Sequence, residues 1–150
     1  MTFEAAVGAN PELAGAYRRG LQGLREGDRN KIAAATPRRL RGSIDLDAAL
    51  APRYPNDPRW DYGVAAAMTE GERVFWIEVH PASEGEIGAV LDKFNWLKGW
   101  LRTSASELGS LPKEFLWVSS GRSALTQRSP KLRQLALQGV AFKGGHFRIP

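Results

Sequence analysis

The feature that most constrains this chain is a pair of short alternating stretches joined by one polar turn. Residues 73–80, Arg-Val-Phe-Trp-Ile-Glu-Val-His, follow a run opened by Trp60-Asp61-Tyr62-Gly63, and Thr69-Glu70-Gly71-Glu72 separates the two. The pair reads as a β-hairpin with strands over 61–68 and 73–80. Side chains alternate faces along a strand, so Phe75, Ile77 and Val79 point one way and Trp76, Glu78 and His80 the other. A carboxylate and an imidazole thereby share a face, and the partner strand brings Asp61 to the same end. Three donors, Asp61, Glu78 and His80, then converge where the sheet opens to solvent, the outline of a metal site. The same residues on a solvated sheet face are an equally ready reading, so position alone leaves both open.

Around this hairpin the chain divides into further elements. Asn10-Pro11-Glu12 is a helix start, with Asn as N-cap and Pro in the first turn. Leu13, Ala16, Tyr17, Leu21 and Leu24 repeat at helical spacing up to Gly27-Asp28, and a second short helix is expected over 30–35 before Pro37. Ser43-Ile44-Asp45-Leu46-Asp47 alternates strictly and predicts a first strand with Asp45 and Asp47 on one face. Residues 51–58 hold three prolines and form a loop. Ser83, with Glu86 three residues on, matches a capping box opening a helix that carries Ile87, Val90, Leu91, Phe94, Leu97 and Leu101 on one face. Lys93 and Trp100 lie beside each other at the margin of that stripe. Phe115-Leu116-Trp117-Val118-Ser119 reads as a buried strand, and Ser129-Pro130 opens a helix closed by Gly139. A last strand is expected over 140–142, with a turn at Gly144-Gly145 before His146-Phe147-Arg148-Ile149. The order α–β–β–β–α–β–α–β, with helices between the later strands, predicts a single α/β domain. Its three layers are a mixed sheet with helices on both faces.

Charge is distributed unevenly along the chain. Residues 1–42 carry eight Lys/Arg and four acids, residues 43–107 six and eleven, and residues 108–150 seven and one. An acidic centre between basic ends suits a cation site bordered by phosphate-contacting surface, with Arg38, Arg39, Arg41, Arg122, Lys131 and Arg133 as the expected contacts. A basic surface without any such partner has the same composition. With no Cys, disulfides and thiolate catalysis are excluded, and two His cannot make a three-His zinc site. No apolar run reaches the roughly 18 residues of a membrane span, and Met-Thr-Phe-Glu lacks a basic-then-apolar leader pattern. A cytoplasmic protein with no membrane partner is the expectation.

The element order, with Asp61 opening the second strand and Glu78-Val79-His80 closing the third, resembles the PD-(D/E)XK nuclease superfamily, the restriction-endonuclease-like fold. The resemblance covers residues 10–142. It implies that Asp61 and Glu78, with the main-chain carbonyl of Val79, hold a divalent ion, Mg2+ or Mn2+, for phosphodiester hydrolysis of nucleic acid. His80 stands where the family has a lysine, two residues after the second acid. The resemblance lets Lys93 of the following helix supply the missing charge, with His80 as proton acceptor. Asp61, Glu78, His80 and Lys93 are thus the expected catalytic set.

Other site chemistries find no support. There is no P-loop, no GxGxxG and no GxSxG elbow, while Ser119-Ser120-Gly121-Arg122 reads as a phosphate-holding loop or an ordinary turn. Among Trp60, Tyr62, Trp76, Trp96 and Trp100, at least three are expected in the core and the rest are candidate base-stacking platforms. Two further functions stay open beside the nuclease. One is a nuclease-fold domain without catalysis that binds nucleic acid or a protein partner, a second copy included. The other is an unrelated α/β interaction protein.

Overall fold

The computed structural model describes residues 1–150. It opens on a helix that the sequence pattern did not announce. In α1 (Phe3–Ala9) the Thr2 hydroxyl accepts from the Ala5 N–H, and Phe3, Ala6 and Val7 are buried. Asn10 does act as a cap, its side chain accepting from the Glu12 N–H, but only a 3-10 turn over Pro11–Leu13 results. The helix expected up to Leu24 is absent, because Gly15 (φ 76°) and Gly20 (φ 52°) sit in the left-handed region. Such residues punctuate a chain instead of continuing a helix. Between them lies β1 (Arg18–Arg19), a two-residue edge strand. A single turn, α2 (Glu26–Arg29), precedes β2 (Ile32–Ala34), which takes the place of the second expected helix.

The central strands match their expected positions more closely. β3 (Leu40–Asp45) ends where the Asp45 carboxylate accepts from the Ala48 N–H and starts α3 (Leu46–Leu50). Asp45 and Asp47 are therefore not on one strand face as expected; a helix N-terminus separates them. β4 (Tyr62–Met68) and β5 (Gly71–His80) form the expected antiparallel hairpin, in register Tyr62↔Ile77 through Met68↔Gly71. α4 (Ile87–Ser104) buries Ile87, Val90, Phe94, Leu97, Trp100 and Leu101. Ser83 makes no side-chain cap; a 3-10 turn over Glu84–Glu86 intervenes instead. After α5 (Ser106–Gly109) come β6 (Lys113–Ser119), α6 (Pro130–Gln138) capped by Ser129, and β7 (Val140–Phe142).

These strands make a six-stranded mixed sheet in the order β1-β3-β4-β5-β6-β7, antiparallel up to β5 and parallel beyond it. The final strand, β8 (Phe147–Ile149), leaves this sheet and pairs in parallel with β2. Strands β5, β6 and β7 advance in one direction, and right-handed crossovers then place α4 and α6 on the same face. Leu97, Leu101, Leu132 and Leu135 accordingly share one core with Trp60, Trp76 and Trp117. The opposite face, Tyr62, Val64, Phe75, Ile77, Leu116 and Val118, is covered by Leu24, Ile32 and Ile149, from the β2–β8 ribbon and its approach. The mixed sheet is flanked by helices as expected, but on the face away from α4 and α6 the covering layer is a two-stranded ribbon with one helical turn. No helix is long and apolar enough to cross a membrane.

Candidate active site

The hairpin register, carried one pair past Tyr62↔Ile77, sets Asp61 opposite Glu78 at the end of the sheet. Loop geometry then fixes Asp61 in place. Its carbonyl accepts from the N–H groups of Leu46 and Asp47 at 2.8 and 3.3 Å, so the start of α3 holds the strand entrance. The two acids lock reciprocally across the strands. The Asp61 N–H donates to Glu78 Oε1 at 3.1 Å, and the Val79 N–H donates to Asp61 Oδ2 at 3.0 Å. Glu78 is fully buried and Asp61 is 6% exposed.

Cations close the other sides of the pair. The Lys93 ammonium donates to Glu78 Oε2, and His80 Nδ1 lies 3.3 Å from the same oxygen. Lys93 is the seventh residue of α4, about 10 Å along it, and the helix folds back over the sheet far enough for its side chain to reach. The expected meeting of Lys93 and Glu78 is found. His80 Nε2 is 2.9 Å from Glu86 Oε2, and the Trp117 indole N–H donates to the His80 carbonyl at 3.0 Å. With a carboxylate beside each ring nitrogen, the surroundings of His80 favour its protonated form. Its pKa is raised, chiefly by the bond to Glu78 and further by Glu86, against the opposing effect of partial burial.

That arrangement corrects the expected convergence of three metal donors. Both imidazole nitrogens are committed to carboxylates, and no group of three or more His, Asp or Glu side chains has a metal-holding arrangement. The same contacts leave neither ring nitrogen without a carboxylate neighbour. What remains is a pair of carboxylates. Burial, and then the charge of Glu78, push the Asp61 carboxyl up to about 7, more than Lys93, the Val79 N–H and Arg25 pull it down. Two acids are thus held side by side in a buried site, where desolvation and mutual repulsion outweigh the cations beside them and raise the Asp61 carboxyl. Such a pair fits a hard cation that takes one or two carboxylates and fills its remaining positions with water and phosphate oxygens.

Arg25 was not legible as a site residue. Its Nη2 is 3.4 Å from Asp61 Oδ1, its Nε donates to the Tyr62 hydroxyl at 2.7 Å, and its guanidinium lies over the Tyr62 ring at 5.0 Å. Asp28, Asp45 and Asp47 surround it at 3.8, 3.9 and 3.8 Å. Glu86 was missed too, because its spacing from Ser83 pointed to a cap and not to His80.

The expected basic contacts divide into two groups. Arg122 follows β6 in a loop tied to the site strand: the Ser120 N–H donates to the His80 carbonyl at 3.1 Å and the Ala124 N–H to that of Ala82 at 2.9 Å. Lys131 and Arg133 are exposed on the first turn of α6, at the same end of the sheet. Arg38 and Arg39 sit in the turn before Leu40, which pairs with Ala66, five residues and about 17 Å of strand from Asp61. Arg41 lies 3.7 Å from Glu72. The expectation that all six border one cleft is therefore corrected: the sheet's length separates Arg38, Arg39 and Arg41 from the acids. Of the five aromatics, Trp60, Tyr62, Trp76 and Trp100 are buried, and Trp96 alone is partly exposed, stacked on Trp100. Compared with family models, curated proteins and solved structures, the chain matches none.

Proposed function

We propose that the Asp61–Glu78 pair is a divalent-cation site for phosphodiester hydrolysis in nucleic acid, of the PD-(D/E)XK, restriction-endonuclease-like kind. The observation that carries the reading is the convergence of Asp61, Glu78, His80 and Lys93 at one strand end of a mixed sheet. Asp61 and Glu78, with the Val79 carbonyl, would hold Mg2+ or Mn2+. A bound ion of that type lowers the pKa of water and offsets charge on the phosphorus oxygens.

The chain's own groups do the rest. The Lys93 ammonium at Glu78 Oε2 places a positive charge beside the pair, facing an approaching phosphate. His80 keeps the charge of the lysine it replaces. Held between two carboxylates, it gives a proton from Nε2 and does not take one there. Arg122, Lys131 and Arg133 border the same end and offer phosphate contacts that orient the substrate.

A second reading has its own support. Lys93 and Arg25 already place one cation on each carboxylate, which is what a nuclease-fold domain that binds nucleic acid without cutting it would need to stay folded. Incubation with labelled single- and double-stranded DNA and RNA, in Mg2+, Mn2+ or chelator, separates the two. The proposal expects metal-dependent cleavage that is lost in Asp61→Asn, Glu78→Gln and Lys93→Ala. Binding without cleavage under every condition supports the second reading, and cleavage that persists in Asp61→Asn refutes the first.

A further inference from the structure

The Asp61–Glu78 pair lies at one end of the sheet, and a separate cavity of about 380 Å³ opens near the other, beside the start of β6 and the last turns of α4. Val74 pairs with Lys113 and Glu78 with Trp117, so four strand residues, about 13 Å, separate the cavity's edge from Glu78. Its floor is apolar, built from buried Leu101 and half-buried Phe115. Its rim carries Lys98, Arg102 and Lys113, Ser106 also lines it, and no acidic side chain does.

These exposed cations sit close together with no acid between them, a mildly unfavourable arrangement without a ligand. Lys98 and Arg102 are four residues apart on α4, where like charges face each other and repel. None of the three joins an ion pair, whereas Arg25, His80 and Lys93, in contact with Asp61 and Glu78, all do. Two are nonetheless held in position. The Lys98 ammonium rests 4.3 Å from the centre of the Phe94 ring, and the Lys113 ammonium donates to the Gly109 carbonyl at 2.7 Å. Arg102 makes no hydrogen bond within the chain, which leaves its planar fork of donors for an outside acceptor.

We propose that this cavity binds a small organic anion, a phosphate or carboxylate on an apolar body, with the anion at the Lys98–Arg102–Lys113 rim and the body on Leu101 and Phe115. The volume lies within the range of small-molecule sites, which pair an apolar lining with a few placed polar groups. The anion relieves the repulsion between Lys98 and Arg102. The apolar floor distinguishes the site from a surface that merely attracts anions, since inorganic phosphate cannot use it.

Amide chemical-shift titration of the full chain tests this, with phenyl phosphate, octanoate, inorganic phosphate and neutral benzyl alcohol as probes. Phenyl phosphate or octanoate is expected to shift the amides of Leu101, Arg102, Ser106 and Phe115 at concentrations where inorganic phosphate and benzyl alcohol do not. Whichever binds tighter identifies a flat or an extended body. Arg102→Gln and Lys113→Gln, both exposed and outside the core, should each weaken that probe about three- to tenfold, the loss of one charge-assisted hydrogen bond. Equal shifts from benzyl alcohol, unchanged affinity in both variants, or shifts confined to the rest of the basic surface would overturn the proposal.

Discussion

Asp61→Asn should make the protein more stable at alkaline pH, and the structure gives the size of the effect. Burial and the adjacent Glu78 raise the Asp61 carboxyl from an ordinary 3.8 to about 7. Because the folded pKa exceeds the unfolded one, the folded state binds the proton more tightly. Stability associated with this carboxyl is present below about 4, declines as pH rises, and is fully lost above about 7. Three pKa units at 1.36 kcal/mol each put the cost of ionisation at roughly 4 kcal/mol. Asparagine keeps an acceptor for the Val79 N–H but loses the contact with Arg25, whose half-exposed side chain makes that loss less than about 1 kcal/mol. Imperfect packing of the new amide takes a further share, leaving an expected gain of about 1–3 kcal/mol at alkaline pH, in the range of stabilising changes at strained sites. Urea unfolding followed by tryptophan fluorescence, repeated between about pH 4.5 and pH 8, measures it. The two proteins should converge at the acid end and separate through neutrality. If Asp61→Asn instead loses several kcal/mol at alkaline pH, the carboxylate is a structural partner of Arg25 and the Val79 N–H, and the strain argument fails.

Lys93→Met should destabilise the fold by about 3–5 kcal/mol near neutrality, since fully buried Glu78 loses its ammonium partner; urea unfolding should show the loss shrinking in acid. His80 should titrate above the ordinary histidine pKa, with a midpoint that falls in Glu86→Gln, as read by NMR of the imidazole. Its stabilising contribution is full below about 6.5 and fades as pH rises through the folded value. Gly63→Ala would set a Cβ 2.7 Å from the Trp76 ring, and thermal unfolding should register about 1–3 kcal/mol of overpacking. Neutralising Arg122, Lys131 and Arg133 together should lower the salt dependence of nucleic-acid binding by about three phosphate contacts in an anisotropy titration, while neutralising Arg38, Arg39 and Arg41 should leave binding at this site unchanged.

What the sequence revealed depends on how local each feature is. The β4–β5 hairpin and α4 carry strong periods of two and 3.6, and both stand where those periods put them. Asp61 and Glu78 could be placed together because the hairpin register sets them opposite each other, whereas Lys93 was suggested by the family resemblance and reaches Glu78 because α4 folds back over the sheet. Residues 11–34 were not, because apolar spacing there coincided with a helix while Gly15 and Gly20 turned the backbone. Arg25 lies within that misread stretch, so nothing local could aim it at Asp61. The pairing of β2 with β8 joins residues over a hundred positions apart, and no periodicity in either strand encodes the partner. The raised pKa of His80 was only partly legible for a similar reason: beside its strand neighbour Glu78, Glu86 contributes from across a 3-10 turn.

On the proposed function, Asp61 and Glu78 hold a divalent cation in addition to locking the strand ends. Calorimetric titration of Mn2+ into the parent protein, Asp61→Asn and Glu78→Gln tests it most directly. One ion per chain should bind at millimolar or lower concentration, with protons released as Asp61 ionises, and neither variant should bind it. A parent protein that takes up no Mn2+, or variants that bind it as well as the parent, would contradict it.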